Sequence, residues 1–202
     1  GQSIGLGDAG KFWHSDLSYK ELPSLGSMLH AQELPSEGGD TLFADMHKAW
    51  DNLPEALRTA VEGRSAAHSY TARYSESKFE GNWRPTLTPE QLAQVAEVVH
   101  PVVRTHPETG EKVLFVNAFT THMSNYHTPA RVRFGQDANP GASELLRYLI
   151  SQAYIPEFQV RWRWKPNSVA IWDNRSTQHY AVMDYPPCHR KMERAGIIGD
   201  KT

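Results

Sequence analysis

The strongest constraint on the fold is that short strand-like runs alternate with amphipathic helical segments along the chain. Capping signals or helical spacing predict three helices, which follow Asn52, Thr88 and Pro140. Apolar or alternating runs at 113–116, 159–164 and 168–172 predict strands, the second with one buried face, and Pro166-Asn167 predicts that the last two strands form a hairpin. The pattern favours a mainly β protein with helical insertions, of the α+β class, or a β-sandwich or barrel that carries helices.

Length and composition exclude several other classes of protein. The 202 residues, 39% hydrophobic and 22% charged, suit a single folded domain over residues 1–202. A net charge of −2 disfavours a nucleic-acid-binding protein, and no apolar run approaches the ~20 residues of a membrane helix. One cysteine, Cys188, excludes an intramolecular disulfide, so we expect a cytoplasmic location.

His14 and Asp16 form the first candidate site. On an extended strand, residues i and i+2 point to the same face, so this imidazole and this carboxylate would converge. The two groups suit a divalent first-row metal. The motif is common in proteins, however, and by itself is also compatible with a solvated strand end.

A third ligand would come from the other nine histidines, among which the context favours His179. His179 follows the predicted strand at 168–172 and a polar stretch at 173–178, where functional side chains often lie. Two histidines and one carboxylate on one face of an iron leave three positions open. Those positions would accommodate a cosubstrate and O₂ together.

Two arginines near the end of the chain are candidates for binding anions. Arg190 and Arg194 are four residues apart, so they would share a face of a strand. A guanidinium holds a carboxylate with two parallel hydrogen bonds. Beside a metal the pair could hold two anionic groups, whereas without the metal ligands the segment would be a basic surface strand.

Three motifs in order resemble the taurine dioxygenase (TauD/TfdA) family of iron(II)- and 2-oxoglutarate-dependent dioxygenases. They are Trp13-His14-Ser15-Asp16, the stretch ELPSEGGDT at 33–41 and the stretch WDNRSTQHY at 172–180. The similarity runs from about residue 13 to residue 200. It implies a double-stranded β-helix (jelly-roll) core with helices around it. Members usually carry a further stretch upstream of the His-x-Asp motif, and we expect this chain to lack it.

The resemblance also implies which residues hold the metal and the cosubstrate. The implied ligands of Fe(II) are His14, Asp16 and His179. Thr41 and Arg190 match the positions that bind the far carboxylate of 2-oxoglutarate. Trp172 matches an aromatic residue that lines the cosubstrate pocket.

The implied activity is the hydroxylation of a small anionic organic substrate with O₂, which gives succinate and CO₂. The substrate would be a sulfonate such as taurine, an alkyl sulfate or an aryloxyalkanoate, as in sulfonate catabolism. Arg194 matches the arginine that holds the substrate anion, while Leu17 and Phe119 fall where side chains meet the substrate. Related enzymes are often dimers or tetramers, so a homo-oligomer is expected.

Two other functions are weighed against this one. The first is a non-catalytic jelly-roll module that binds a small anion or a metal, and the second is a zinc hydrolase with the same three ligands. The intact set of metal and 2-oxoglutarate residues disfavours the module, and a dicarboxylate cosubstrate better explains the arginines and Thr41. Turnover would separate the module from the oxygenase, and metal content would separate the hydrolase. No nucleic-acid or membrane partner is expected.

Overall fold

Strands dominate the structure, and a few helices lie between them. The computed structural model describes residues 10–73, 87–124, 132–133, 136–137 and 140–199. The expectation of a mainly β protein with helical insertions is confirmed. None of the helices in these ranges combines the length and the apolar character that a membrane crossing requires.

The element bounds are as follows. The strands are β1 (Gly26–Glu33), β2 (Thr41–Asp45), β3 (Ser65–His68), β4 (Val98–Pro101), β5 (Val103–Thr105), β6 (Lys112–Leu114), β7 (Thr120–Met123), β8 (Val132–Arg133), β9 (Gln136–Asp137), β10 (Gln159–Trp162), β11 (Val169–Asp173), β12 (Thr177–Ala181) and β13 (Lys191–Ile197). The helices with described bounds are α1 (Met46–Asp51), α2 (Glu55–Val61), α3 (Pro89–Gln94) and α4 (Pro140–Ser151), and two short 3₁₀ turns follow α4 at Gln152–Tyr154 and Pro156–Phe158. Residues 70–73 are also helical.

Two antiparallel sheets position the candidate site. The first has the strand order β11-β1-β13 and the second has the order β10-β2-β12. A further sheet, β4-β3-β7, and the pairs β5-β6 and β8-β9 lie beside them. In the first sheet the register places Ser27, Trp172 and Arg194 on one face, since alternate residues of a strand point to opposite sides.

Local capping chemistry explains where the helices begin. The predicted helix after Asn52 is α2, which starts directly after Pro54. The predicted capping box is present in α3, where the Thr88 hydroxyl accepts from the Gln91 backbone N–H and the Gln91 side chain accepts in return from Thr88. Helix α1 was not anticipated; the Asp45 carboxylate caps it by accepting from two backbone N–H groups.

The main core lies where α1 packs on β6 and α4 packs near β7. The helical spacing in α4 predicted its buried face correctly. The largest buried apolar side chains of this core are Trp13, Met46, Trp50, Leu53, Val61, Leu114, Met123, Leu146 and Leu149.

The spacing of Leu92, Val95, Ala96 and Val99 predicts an apolar face for the helix at Thr88, and this prediction is wrong. Helix α3 ends at Gln94, because Val95 has non-helical backbone angles. Leu92 is 44% exposed, and Val99 lies in β4 rather than in the helix. A helix of six residues is too short to present a continuous apolar stripe to a core.

The predicted hairpin between the strands at 159–164 and 168–172 is also wrong. The turn exists, with Asn167 at a φ of 62° and the Ser168 N–H donating to the Lys165 carbonyl. However, β10 pairs with β2 and β11 pairs with β1, so the turn carries the chain from one sheet to the other. The predicted buried face of β10 is not observed either, since Val160 is 64% exposed and Trp162 is 38% exposed.

His68 is a buried histidine with a structural role. Its ring stacks on Phe115, with centroids 5.5 Å apart, and Nε2 lies 3.4 Å from the Thr120 hydroxyl. Burial, aided by His100 and Arg104, lowers the pKa of His68 to about 3. The side chain therefore stays neutral in the folded protein at mildly acidic pH.

Replacing His68 with phenylalanine will make the metal-free protein less sensitive to acid. Since the folded-state pKa lies below the ordinary value of 6.5, the unfolded chain binds a proton that the folded chain does not, and stability falls as the pH drops below 6.5. Between pH 7.0 and 5.5 the parent chain should lose about 1 kcal/mol more unfolding free energy than the variant. Urea denaturation at both pH values measures this difference, and parallel pH profiles for the two proteins would contradict it.

Candidate functional site

His14 and Asp16 enter the site from a single bridge rather than from a full strand. The His14 N–H donates to the His179 carbonyl (3.1 Å), and the His179 N–H donates to the His14 carbonyl (2.8 Å). The chain then turns at Asp16, and Leu17 has a φ of 57°. The extended strand expected here is thus limited to one residue pair, yet the two side chains still converge.

The structure brings His14, Asp16 and His179 together in a buried cluster. One ligand atom from each residue lies within 4.8 Å of the others. His14 Nε2 is 3.7 Å from Asp16 Oδ1, and His179 Nε2 is 3.9 Å from Asp16 Oδ2. The predicted trio therefore has the donor types and the proximity that a divalent metal requires.

Hydrogen bonds leave the nitrogens that face the carboxylate free to bind a metal. His14 Nδ1 lies 2.8 Å from the Phe12 carbonyl oxygen, which fixes the proton on Nδ1 and leaves the lone pair on Nε2. His179 Nδ1 is buried and makes no hydrogen bond within the described part of the chain. The His14 and His179 ring centroids are 4.1 Å apart.

Asp16 is held by a network that the sequence did not reveal. The Ser27 hydroxyl donates to Asp16 Oδ2 (2.6 Å), and Arg194 Nη1 donates to Oδ1 (2.9 Å). Asn174 Nδ2 donates to the Ser27 hydroxyl (3.0 Å), while Asn174 Oδ1 accepts from the Asp16 N–H (3.5 Å). Asn174 lies in the polar stretch after β11 that was singled out as functional, whereas Ser27 carries no signal in the sequence.

The protonation states of the cluster suit metal binding. Burial lowers the pKa of His179 to about 3 and also lowers the pKa of His14, against the opposing effect of Asp16. Burial acts to raise the pKa of Asp16, but the two imidazoles, Arg194 and Ser27 together lower it. At neutral pH the site holds two neutral imidazoles and one carboxylate, which is the form that binds a metal.

Aromatic side chains surround the cluster. The Trp172 ring centroid is 4.9 Å from that of His179, and Trp172 Nε1 donates to Asn174 Oδ1 (3.0 Å). Phe119 is buried, with its centroid 6.2 Å from that of His14. Both residues therefore lie beside the cluster, and they shield one side of it from water.

Arg190 lies just before β13, beside Gly39. It is half-buried, and its Nε makes no hydrogen bond to any described residue. Gly39, at a φ of 72°, makes room for it, because a Cβ there would come within 3.0 Å of Arg190 Nε. Burial lowers the pKa of Arg190, against the opposing effect of Tyr185 and Asp40.

Thr41 begins β2, two residues after Gly39, which is the glycine beside Arg190. Thr41 follows Asp40 on β2, is buried, and accepts a hydrogen bond from Trp164 Nε1 (3.0 Å) through its hydroxyl oxygen. The hydroxyl proton remains available to an incoming acceptor. Trp164 therefore contacts Thr41 at the start of β2.

The second sheet shows why β10 is exposed. Val160 pairs with Phe43 and Trp162 pairs with Thr41, so these exposed residues share the face of the sheet that carries His179. This face holds the candidate site and is open at β10 in the described chain. An alternating pattern predicts the two faces of a strand but not what covers them.

Comparison with known proteins gives one consistent result. The sequence model of the family described as "Taurine catabolism dioxygenase TauD, TfdA family" matches residues 1–195. The chain is 35% identical to an alkylsulfatase of Acinetobacter baylyi over 94% of this chain and 57% of that protein. It is 32% identical to an alpha-ketoglutarate-dependent sulfate ester dioxygenase of Pseudomonas putida over 96% of this chain and 62% of that protein.

A solved structure agrees with these sequence matches. The structure of AAD-2 in complex with Mn(II) and N-oxalylglycine is similar with a TM-score of 0.78 at 29% identity, covering 94% of this chain and 69% of that chain. The present chain spans about three-fifths of the length of the two relatives named above.

Proposed function

The chain belongs to the taurine catabolism dioxygenase TauD/TfdA family, and from this premise we propose that it is an Fe(II)- and 2-oxoglutarate-dependent dioxygenase. It hydroxylates a small anionic organic substrate: a sulfonate such as taurine, an alkyl sulfate or an aryloxyalkanoate. The observation that carries the proposal is the buried cluster of His14, Asp16 and His179. The names of the relatives support the substrate class.

The residues of the cluster fit Fe(II). Two neutral imidazoles and one carboxylate form the donor set that leaves open positions on iron. His179 Nδ1 and the cluster's Nε2 atoms are free of competing hydrogen bonds from the described chain, so no protein group has to be displaced from them. When bound together with 2-oxoglutarate, Fe(II) activates O₂, so that a substrate C–H bond is hydroxylated while 2-oxoglutarate becomes succinate and CO₂.

Arg190 and Thr41 bind the far carboxylate of 2-oxoglutarate. The Arg190 Nε is buried without an acceptor, and a carboxylate would supply two oxygens to its planar guanidinium. The free hydroxyl proton of Thr41 provides a further donor. Trp172 forms the aromatic wall of this pocket beside His179.

Arg194 holds the anionic group of the substrate. One of its nitrogens, Nη1, donates to Asp16, and the side chain is half-exposed, so the remaining N–H groups of the guanidinium face accessible space. A substrate anion bound there would lie next to the metal ligand Asp16, which places a neighbouring C–H bond near the metal. Leu17 and Phe119 contact the apolar part of the substrate, and Phe119 excludes water beside His14.

The proposal extends to the domain organisation, the oligomeric state, the location and the partners of the protein. Residues 1–202 form a single domain with a double-stranded β-helix core, which is supported by two antiparallel sheets around the site and by the likeness to AAD-2. The protein acts as a homo-oligomer, a dimer or tetramer, in the cytoplasm. It binds neither nucleic acid nor membranes, in keeping with its charge of −2.

Replacing Ser27 with alanine will weaken Fe(II) binding by about tenfold, because a hydrogen bond that orients a metal ligand typically contributes about 10- to 100-fold in affinity. The change removes the 2.6 Å hydrogen bond to Asp16 while it alters the packing little. Anaerobic competition with a chromogenic chelator measures the affinity. Ser151→Ala, at an exposed hydroxyl on α4, is the control and should bind Fe(II) like the parent chain. Equal affinities for all three proteins would show that Ser27 does not orient Asp16.

Turnover tests the proposed function directly. The chain is loaded with Fe(II) under anaerobic conditions, mixed with 2-oxoglutarate, and exposed to O₂ with taurine, a medium-chain alkyl sulfate or an aryloxyacetate. We expect at least one of these substrates to raise succinate formation well above the rate without substrate. Folded, iron-loaded protein that produces no succinate with any of them would favour the non-catalytic binding module.

A further inference from the structure

A second cavity lies beside the start of β1 and strand β5. Its volume is about 360 Å³, which is within the range of small-molecule pockets. Its walls are mainly apolar and include Pro23, Leu25, Pro101 and Val103. None of the residues proposed for the metal, 2-oxoglutarate or the substrate lines it.

A cation, Arg104, lies in the wall of this cavity; Asp173 acts on it electrostatically, but the described acids make no direct ion pair with it. Arg104 is 7% exposed, and its guanidinium carbon lies 4.2 Å from the centroid of the Phe115 ring. Within the described chain, no hydrogen bond or ion pair reaches the Arg104 side chain. No Arg104 nitrogen is among the buried side-chain atoms that lack a partner, so these donors are accessible to solvent, and a ligand that supplies oxygen acceptors could replace water on them.

The charges around the cavity favour an anion. Its described lining residues include a second arginine, Arg175, and no acidic residue. Arg175 is already satisfied, because it forms ion pairs with Asp173 (2.6 Å) and Glu108 (2.9 Å). Burial and the neighbouring Arg175 lower the pKa of Arg104 to about 10, so that Arg104 is still charged at neutral pH. Asp173 and Glu108 balance the two arginines in net charge, but both acids pair with Arg175, so Arg104 is the arginine of the cavity wall whose donors no described acid engages.

We propose that this cavity binds a small amphipathic monocarboxylate. The carboxylate accepts two hydrogen bonds from the Arg104 guanidinium, whose planar fork matches the two oxygens. A short aryl or alkyl body packs against the prolines, Leu25 and Val103. A dicarboxylate such as 2-oxoglutarate fits poorly, because Arg175 is engaged by its own acids and offers no second site for a carboxylate.

A series of hydrogen bonds through Asn174 connects Leu25, which lines the cavity, to the metal cluster. The Leu25 carbonyl in its wall accepts from the Asn174 N–H (2.9 Å). The Asn174 side chain in turn bonds Ser27 and the Asp16 N–H. A ligand in the cavity would therefore pack against the same chain segment that positions Asp16.

Binding of 4-fluorophenylacetate, followed by fluorine NMR, tests the proposal. The full chain is used without iron and with excess 2-oxoglutarate, so that the Arg190 end of the metal site is occupied. We expect saturable binding that Arg104→Gln weakens at least about tenfold, since a charge-assisted pair is lost. The uncharged 4-fluorophenylacetamide should bind the parent chain at least about tenfold more weakly for the same reason. Arg194→Gln, in the metal site, should leave binding unchanged.

A second variant keeps the test decisive if Arg104→Gln does not fold. Thr105 lines the cavity and is exposed, so Thr105→Trp fills the space from its rim and leaves Arg104 in place. This variant should also lose binding. The proposal is overturned if the parent chain shows no saturable binding up to about 10 mM ligand, a limit well above millimolar affinity. It is equally overturned if Arg194→Gln abolishes binding while Thr105→Trp retains it, which would place the ligand in the metal site.

Discussion

His179→Ala will abolish stoichiometric Fe(II) binding and lower succinate formation by more than about a thousandfold, since even residues that only support metal ligands contribute about 10- to 100-fold. His179 supplies one of the three donor groups of the cluster, and its Nε2 lies 3.9 Å from Asp16. With one histidine removed, the remaining imidazole and carboxylate cannot hold the metal in the geometry that leaves adjacent positions for two ligands. Iron content after gel filtration and the rate of succinate formation measure the two effects.

The fold should survive this substitution. The strand contact between His14 and His179 is made by backbone atoms, which alanine retains. His30→Ala is the matched control, because His30 is a partly exposed histidine on β1 whose ring lies near Glu193 and not at the cluster. We expect the control to bind iron like the parent chain. Full iron occupancy and turnover in a folded His179→Ala protein would remove this residue from the metal site.

Arg190→Gln will raise the KM for 2-oxoglutarate by about 10- to 100-fold, which corresponds to the loss of a charge-assisted pair of hydrogen bonds. The Arg190 Nε is buried without an acceptor, so a bound carboxylate would use it fully. Glutamine keeps a hydrogen-bond donor but loses the positive charge and the bidentate geometry of the guanidinium. Steady-state kinetics with varied 2-oxoglutarate and saturating substrate measures the change.

The pattern of kinetic constants separates this role from a structural one. The KM for the organic substrate should change little in Arg190→Gln, because Arg194 is assigned to that group. Arg147→Gln, at an exposed position on α4, removes the same charge elsewhere and should leave both KM values unchanged. If Arg190→Gln raised the KM of the substrate and not that of 2-oxoglutarate, the two arginines would have to exchange roles.

The candidate site was more predictable from the sequence than the fold around it. The i, i+2 spacing of His14 and Asp16 correctly indicated convergence, although a bridge and a turn replace the expected strand. His179 was favoured by its position after a predicted strand and a polar stretch, and the family resemblance strengthened that choice. The partnership with His14 through backbone hydrogen bonds is a long-range contact that spacing along the chain does not encode.

The errors in the fold also have physical causes. A turn at Pro166-Asn167 was correctly recognised, but a turn signal does not determine which strands pair, and here the two strands enter different sheets. Ser27 and Asn174 were not identified, because their role is to bond other side chains rather than to carry reactive chemistry. Supporting residues of this kind become visible only when the surrounding strands are in place.

The central claim is that Fe(II) and 2-oxoglutarate bind together at the cluster of His14, Asp16 and His179. Anaerobic titration of the iron-loaded chain with 2-oxoglutarate, followed by visible absorption, tests this claim most directly. The account predicts a weak metal-to-ligand charge-transfer band that saturates at one 2-oxoglutarate per chain, is absent in His179→Ala and requires more 2-oxoglutarate in Arg190→Gln. Folded protein that retains iron and shows no such band at saturating 2-oxoglutarate would contradict the account.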